Sequence, residues 1–271
     1  MLVAAGIAPD EAAIDVDLYA RTILGWDRAQ LLTALQAPAP DALEPRFSEW
    51  ITRRTRKEPT AYIVGWREFW GLEFEVSPAV LIPRPETEFI VEEALTQLRE
   101  YETPRIADVG TGSGCIGIAL ARELPRARVV ATDISAVALE VARRNAQRNG
   151  VSDRVEYIET SYLDNVNGPF DAIVSNPPYV KERDRAFTER PVVKYEPHVA
   201  LFGGDDGLTG VRSVLDAART RLAPKGVAIF EFGLGQDDEV SDLVRSYGTF
   251  RLLHIKEDLQ GIPRTAVVQL I

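Results

Sequence analysis

The N-terminal part of the chain places apolar residues three or four positions apart, which is the spacing of a helix with one buried face. The recurring apolar positions are Ile14, Leu18, Ile23, Leu24, Leu31, Leu32 and Leu35. Pro38 and Pro40 then interrupt the pattern. Residues 9 to about 62 are therefore predicted to form a small helical domain.

The pattern changes over residues 63–82, where aromatic and β-branched residues become frequent between glycines. This composition predicts a short hairpin or an extended linker. The boundary between two domains is placed here. We expect an N-terminal helical domain over residues 1–75, a linker over 76–85 and a larger domain over 86–271.

From residue 86 onward, helical and strand patterns alternate. Helices are predicted over residues 86–99, 115–124, 135–149, 208–222 and 237–247. Strands are predicted over residues 106–109, 129–132, 155–158, 171–174 and 227–232, and an antiparallel hairpin over 250–255 and 265–270. Such alternation builds a mostly parallel sheet with helices on both faces, so the predicted fold class is α/β.

The composition is that of a globular protein, with 45% hydrophobic and 27% charged residues among 271. The formal net charge of -10 argues against a surface that binds duplex nucleic acid by neutralising phosphates. The conspicuous basic run of Arg53, Arg54, Arg56 and Lys57 is expected to be the solvated end of a helix. One cysteine and two histidines leave few soft ligands, so we expect no metal site.

The cellular location is predicted from what the chain lacks. Its apolar runs are too short for a membrane span, and charged residues follow soon after Met1, so neither a membrane segment nor a secretory signal is expected. The single cysteine, Cys115, cannot form an internal disulfide, which is typical of a reducing compartment. We expect a cytoplasmic protein.

A glycine-rich loop follows the first strand predicted in the larger domain. After Asp108 and Val109 the loop reads Gly110, Thr111, Gly112, Ser113 and Gly114, and a helix follows. Glycines keep such a turn tight and let a ligand approach the N–H groups at the helix N-terminus. Asp133, at the end of the next strand, is placed to bind ribose hydroxyls. The two features predict a cofactor that contains a nucleoside.

The glycines alone leave the cofactor open, because Gly112, Gly114 and Gly117 also fit the G-x-G-x-x-G pattern of a dinucleotide site. Asp108 favours S-adenosylmethionine, since its carboxylate suits the ammonium of a bound amino acid and would repel a pyrophosphate.

Asn176, Pro177, Pro178 and Tyr179 follow the fourth predicted strand. The two prolines remove backbone donors and stiffen the loop. The Asn176 carboxamide oxygen and the Pro177 carbonyl can each accept one N–H of a planar amino group, with the Tyr179 ring stacked on its face. A rigid turn is the alternative interpretation. Next to a nucleoside site, this loop predicts methyl transfer to nitrogen.

Further segments give the chain a resemblance that covers nearly its whole length. These segments are residues 59–65, 67–70, 76–78, 81–88, 196–197, 200–201, 204–208 and 258–261, together with Arg264. In this order, and with the two loops, they closely resemble the HemK/PrmC family of class I methyltransferases. That family uses S-adenosylmethionine to methylate a glutamine side-chain amide in peptide chain release factors.

The resemblance implies a seven-stranded catalytic domain and an N-terminal helical domain that docks the release factor. It implies that the loop from Gly110 to Gly114 holds the methionine part of the cofactor and that Asp133 binds the ribose. It also implies that residues 176–179 hold the substrate glutamine, with Asn176 bordering the cofactor as well. Tyr162 corresponds to an aromatic residue against adenine. The family commonly has an acid just before that aromatic residue, whereas this chain has Ser161.

Some assignments stay open at this stage. Glu231 could line the pocket or be structural, and Arg84 and Glu88 could pair with each other or brace the cofactor. Three rival functions are an adenine amino methyltransferase acting on nucleic acid, a glutamine methyltransferase of a ribosomal protein, and a binding module that holds the cofactor without turnover.

Overall fold

A computed structural model describes residues 1–186 and 190–271. Its α-helices are α1 (Pro9–Leu24), α2 (Arg28–Ala34), α3 (Arg46–Thr55), α4 (Thr60–Val64), α5 (Glu88–Leu98), α6 (Cys115–Glu123), α7 (Ala136–Arg148), α8 (Arg190–Tyr195), α9 (Thr209–Arg221) and α10 (Asp237–Tyr247). Its strands are β1 (Trp66–Phe69), β2 (Leu72–Glu75), β3 (Arg105–Val109), β4 (Arg128–Asp133), β5 (Val155–Glu159), β6 (Phe170–Ser175), β7 (Leu222–Glu231), β8 (Phe250–Glu257) and β9 (Pro263–Leu270).

The described residues fall into two compact units. The first contains residues 1–66 and 190–195, and the second contains residues 67–186 and 196–271. Within these ranges, the structure contains no helix with the length and apolarity needed to cross a lipid bilayer.

The first unit is helical, as the apolar spacing predicts. Its core joins residues of α1, α3 and α4 around Tyr19, whose ring meets the Trp50 ring edge-on with centroids 5.5 Å apart. The buried side of α1 differs from the predicted one, because Ile14 is 68% exposed while Asp15 is buried. Apolar spacing does not show that a carboxylate shares the buried side.

Asp15 is buried because it is paired with Arg54. The Nε atom of Arg54 donates to Asp15 at 2.7 Å, and the hydroxyl of Thr60 donates to its other oxygen at 2.5 Å. Arg54 is only 6% exposed, so the basic run is not simply a solvated helix end. One of its arginines fastens α1 to α3 through a buried ion pair.

The second unit contains a seven-stranded sheet in the order β5-β4-β3-β6-β7-β9-β8. The five strands from β5 to β7 are parallel, whereas β9 runs antiparallel to both of its neighbours. This topology confirms the predicted α/β fold with a C-terminal antiparallel hairpin. Alternate residues of β3 enter different cores: Ile106 packs with residues of α5 and α6, and Ala107 with residues of α9 and α10.

The strand order brings two loops together. From β3 the chain passes to β4 on one side, and β6 pairs with β3 on the other side, with Val109 opposite Ser175. The hydroxyl of Ser175 donates to the Val109 carbonyl at 2.8 Å, which fixes the two strand ends side by side. Ligands of open parallel sheets bind at such a switch point. The glycine loop and the Asn-Pro-Pro-Tyr loop both begin there.

Candidate active site

A cavity of about 240 Å³ lies at the carboxyl ends of β3, β4 and β6. All of its walls belong to the second unit. The lining residues lie within the ranges 79–87, 109–116, 133–138, 160–162, 175–178 and 197–200, although not every residue in these ranges lines the cavity. Most of the predicted site residues therefore meet at one cavity. Asp108, Gly114 and Tyr179 do not line it.

The glycine loop turns sharply where it lines this cavity. Gly110, Gly112 and Gly114 all have positive φ values, of 70°, 55° and 85°. A Cβ atom on Gly114 would lie 2.7 Å from Ile118, whereas one on Gly110 would meet no atom within 4 Å. The space beside Gly110 is open, so the loop can receive a ligand there.

Asp108 lies behind the loop and is fully buried. Its Oδ2 atom accepts hydrogen bonds from the Thr111 hydroxyl at 2.5 Å and the Gly117 N–H at 3.0 Å. Its Oδ1 atom has no hydrogen-bond partner among the described residues. Burial raises the pKa of Asp108 to about 6. Asp108 therefore holds the loop in shape, and a contact with the cofactor ammonium stays a prediction.

Asp133 joins the glycine loop to the next helix. Its Oδ2 atom accepts from the Gly112 N–H at 2.9 Å, and its Oδ1 atom accepts from the Ser135 N–H at 2.9 Å. Each carboxylate oxygen has a second lone pair, so both can also accept hydroxyl donors. Burial raises the pKa of Asp133, against the effect of these backbone donors. The residue lines the cavity, as a ribose-binding carboxylate must.

Tyr162 lines the cavity with a backbone conformation that the sequence does not reveal. Its φ is 49°, in the left-handed region that non-glycine residues seldom occupy. The Thr132 hydroxyl donates to the Tyr162 carbonyl at 2.7 Å and holds this conformation. Residues kept in sparsely populated conformations tend to cluster at functional sites. Ser161 also lines the cavity.

The first three residues of the Asn-Pro-Pro-Tyr loop, Asn176, Pro177 and Pro178, form another wall of the cavity. The Nδ2 atom of Asn176 donates to the Thr87 hydroxyl at 3.0 Å. Within the described part of the chain, no donor reaches the Oδ1 atom of Asn176 or the Pro177 carbonyl oxygen. Both acceptors that the sequence singles out are thus available. The Tyr179 hydroxyl donates to Glu231 at 3.0 Å.

Glycines allow backbone to pack directly behind this loop. A Cβ atom on Gly203 would lie 2.4 Å from the Pro178 carbonyl oxygen, and one on Gly207 would lie 2.4 Å from the Tyr179 carbonyl oxygen. Both distances are shorter than a real Cβ contact. The glycines at these positions are therefore required by close approach to the loop.

Arg84 and Glu88, whose partners the sequence left open, each bind a different group. Arg84 pairs with Glu196 at 2.5 Å, and Glu196 also accepts from the Ile82 N–H. Glu88 accepts from the Trp70 N–H at 2.8 Å. Arg84 and Glu88 therefore have separate partners. The sequence gives no indication of this role of Glu196, because its partner Arg84 is distant along the chain.

Glu231 is buried and lies outside the walls of the cavity. It accepts hydroxyl donors from Thr87 at 2.7 Å and from Tyr179. Burial raises the pKa of Glu231, whereas these donors and the charge of Arg264 act in the opposite direction. Its position supports the structural interpretation of this residue.

Two family models match the chain. Residues 1–65 match the PrmC N-terminal domain, and residues 87–194 match the Methyltransferase small domain. The chain is 42% identical to the release factor glutamine methyltransferase of Bradyrhizobium diazoefficiens, covering 94% of this chain and 87% of that one. It is also 42% identical to the enzyme of the same name from Moorella thermoacetica, covering 91% and 89% of the two chains.

A solved structure shows the same fold. A methyltransferase from Pyrococcus furiosus superposes with a TM-score of 0.53 and 20% identity, covering 83% of this chain and 98% of that one. The matched methyltransferase domain and the two relatives define an S-adenosylmethionine-dependent class I methyltransferase. The two relatives define the group more narrowly, and the chain belongs to the release factor glutamine methyltransferase family.

The residues present fit this cofactor. The open space beside Gly110 leaves room at the backbone, and Asp133 has lone pairs for ribose hydroxyls. The unpartnered Oδ1 atom of Asp108 adds negative charge behind the loop, which favours a cationic amino acid nearby.

The raised pKa of Asp108 predicts a pH-dependent stability. Its ordinary pKa is about 3.9, and the folded value is about 6. The proton is thus held more tightly in the folded state, so this stabilisation is complete below pH about 4 and is lost as the pH rises through about 6. Asp108→Asn cannot titrate. Without cofactor, the free energy of unfolding of the wild-type protein should fall by up to about 3 kcal/mol relative to that of Asp108→Asn as the pH rises from about 4 to above about 6.

Thermal melts of both proteins from pH 4 to pH 7 measure the difference. Asp153→Asn, at an exposed turn, serves as the control and should follow the wild type. Parallel pH profiles for the wild type and Asp108→Asn would contradict the assignment.

The packing behind the Asn-Pro-Pro-Tyr loop predicts the effect of Gly203→Ala. The added methyl group would push the Pro178 carbonyl outward and displace the acceptors, so methyl transfer should slow by about tenfold to a hundredfold. Cofactor affinity should change by less than about threefold, because the glycine loop and Asp133, which are expected to hold the cofactor, belong to other segments. Calorimetric titration and single-turnover kinetics measure the two effects.

Gly248→Ala is the matched control. Gly248 has a φ of 65° at the end of α10, and its Cβ would meet no atom within 4 Å. This variant should lose about 1 kcal/mol of stability through backbone strain and keep its activity. Normal methyl transfer by a folded Gly203→Ala would show that the loop tolerates displacement.

Proposed function

We propose that the protein transfers the methyl group of S-adenosylmethionine to the side-chain amide nitrogen of a glutamine in a peptide chain release factor. The observation that carries the proposal is the pair of available acceptors on a stiff loop at the cofactor cavity, Asn176 Oδ1 and the Pro177 carbonyl. A primary amide offers two N–H donors in one plane, which is the chemistry that such a pair recognises. The names of the relatives indicate the same substrate.

The cofactor supplies a methyl group that its sulfonium charge has already activated, so the chain need not supply a nucleophile. An amide nitrogen is a weak nucleophile because its lone pair is delocalised. If Asn176 and Pro177 accept both N–H bonds, electron density shifts toward the nitrogen and the nitrogen is held in one orientation. Tyr179 would then lie against the face of the amide.

The proton need not leave before transfer. The nitrogen forms its bond to the methyl carbon as the bond from that carbon to sulfur breaks, and the methylated amide then releases one proton to solvent. This product is far more acidic than the starting amide. A general base among the buried carboxylates is therefore unnecessary, which agrees with Asp108 and Glu231 lying outside the cavity walls.

The remaining predicted contacts belong to the same proposal. We infer that the loop from Gly110 to Gly114 holds the methionine part of the cofactor and that Asp133 holds the ribose. Tyr162 would cover the adenine. The net charge of -10 favours a protein substrate over a nucleic acid.

Mass spectrometry of purified release factor tests the function directly. After incubation with enzyme and S-adenosylmethionine, one glutamine-containing peptide should gain one methyl group. Ribosomal proteins and DNA, treated in parallel, should gain none. A methylated nucleic acid or a methylated ribosomal protein alone would replace the proposal with the corresponding rival.

Asn176→Ala separates amide orientation from loop rigidity. The prolines still hold the backbone, so stability and cofactor affinity should change little. The lost oxygen leaves one substrate N–H unpaired, and kcat should fall by about a hundredfold or more, with a smaller change in KM. Single-turnover methyl transfer at saturating cofactor measures this. A folded variant with near-normal kcat would refute the orienting role of Asn176.

We also propose that the N-terminal helical region, predicted as residues 1–75, docks the release factor. Its helices form a cleft with apolar walls that include Val3, Val16, Phe47 and Ile51. Val16 is 40% exposed. A contact here would hold the substrate protein on the enzyme and raise the effective concentration of its glutamine.

Val16→Asp tests the docking proposal. A charge in an apolar contact should raise the KM for intact release factor by about tenfold. The kcat at saturating release factor should stay near normal. Leu32→Asp is the control, because Leu32 is 57% exposed on α2 and does not line the cleft. Steady-state kinetics compare the variants, and equal KM values would remove this cleft from the docking surface.

A further inference from the structure

A chain of hydrogen bonds leads from the substrate-facing loop into the protein. Asn176 Nδ2 donates to the Thr87 hydroxyl at 3.0 Å, and the Thr87 hydroxyl donates to Glu231 Oε2 at 2.7 Å. The other oxygen of Glu231 accepts from the Tyr179 hydroxyl at 3.0 Å. Thr87 and Glu231 are each only 2% exposed. Water therefore does not compete for these bonds.

Asn176, Thr87 and Glu231 are held in position by three different elements of the fold. Asn176 follows the end of β6, and Glu231 ends the neighbouring parallel strand β7, with Ser175 opposite Phe230. Thr87 comes from the short helical turn Pro85–Thr87 that leads into α5. It bridges the two strand ends from outside the sheet.

With Glu231 ionised, the donors can be arranged in only one direction along this chain. An ionised carboxylate accepts hydrogen bonds and cannot donate them, whereas a hydroxyl has a single proton to donate. Once Thr87 gives its proton to Glu231, its oxygen can only accept from Asn176. The side of Asn176 that faces Thr87 must then be its NH2 group.

We propose that Thr87, directed by Glu231, is a positioning residue that fixes the orientation of the Asn176 carboxamide and thereby selects a substrate amide over a carboxylate. With NH2 held by Thr87, the Oδ1 atom is the end that remains for the substrate. It accepts an N–H of glutamine and repels the oxygen of glutamate. In the reversed orientation the carboxamide would present donors, which suit a carboxylate and cannot pair with an amide N–H.

This inference rests on the proposed function, because it concerns the same glutamine site. It adds a fixed orientation of the Asn176 carboxamide, which the availability of the two acceptors does not by itself explain. An asparagine amide turned by 180° has nearly the same shape, so packing cannot distinguish the two orientations. The hydrogen-bond chain does, since only one orientation satisfies both Thr87 and the carboxylate.

The test compares two forms of release factor in competition. The substrate is the intact protein, and the inhibitor is the same protein with glutamate in place of the acceptor glutamine. The measured quantity is the inhibition constant of the glutamate form divided by the KM of the glutamine form. For the wild-type enzyme this ratio should be large, because Oδ1 repels the carboxylate.

Thr87→Val removes the hydroxyl and keeps the shape of the side chain. The Asn176 carboxamide can then turn, so kcat should fall by about tenfold and the ratio should fall by at least about fivefold. Thr87→Ser keeps the hydroxyl and should restore both quantities to within about twofold of the wild type. Cofactor affinity should stay within about threefold for both variants, as measured by calorimetry.

Tyr247→Phe is the matched control for the loss of a hydroxyl bond to a carboxylate. The Tyr247 hydroxyl donates to Asp216 at 3.1 Å, and Tyr247 does not line the cavity. The ratio of inhibition constant to KM should therefore stay within about twofold of the wild type. A ratio that falls equally in Tyr247→Phe would mean that the effect is a general loosening of the protein.

The outcomes separate failure of this inference from failure of the proposed function. If the wild-type enzyme does not methylate the release factor, the function itself is refuted. If it does, and a folded Thr87→Val keeps the wild-type ratio, the positioning role is refuted. Should Thr87→Val fail to fold, Thr87→Ala takes its place, because it also removes the hydroxyl, and a wild-type ratio in that variant would refute the positioning role.

Discussion

The parallel pairing of β3 with β6 is the constraint on which the site depends. These strands are far apart in sequence, yet their register sets Val109 against Ser175, and the Ser175 hydroxyl fastens the two ends together. The glycine loop and the Asn-Pro-Pro-Tyr loop leave the sheet one residue later. A slip of one residue would turn every side chain of β6 to the opposite face of the sheet. It would also separate the cofactor loop from the amide-binding loop.

Buried carboxylates hold this site in shape and stay away from its chemistry. Asp108 fastens the glycine loop, Glu196 ties two wall segments together, and Glu231 anchors Thr87 and Tyr179. A buried charge is costly unless it is fully hydrogen-bonded. Glu196 and Glu231 accept protein donors at both oxygens and Asp108 accepts them at Oδ2, and these bonds make the loops rigid. A reaction that depends on alignment more than on proton transfer benefits from this distribution of charge.

Much of the fold and of the site could be predicted from sequence because its signals are local. Glycine loops, paired prolines and alternating apolar patterns are read within a few residues, and they gave the order of strands and helices in the second unit. Long-range partners carry no such signal. The pairing of Arg84 with Glu196, the bridge made by Thr87 and the burial of Asp15 by Arg54 all join residues that the fold brings together. The left-handed backbone conformation of Tyr162 could not be predicted either, because only glycine and a few other residue types favour that conformation.

The glycines behind the Asn-Pro-Pro-Tyr loop limit how this enzyme can change. At Gly203 and Gly207 the loop rests on backbone atoms, so there is no side chain at these contacts whose size could be adjusted. Gradual substitution can reshape a pocket lined by side chains, but it cannot reshape a wall of main chain without moving whole segments. The loop proposed to bind the amide is therefore difficult to reshape by single substitutions. New protein targets would have to be acquired through surfaces remote from it, while the chemical group that is modified stays the same.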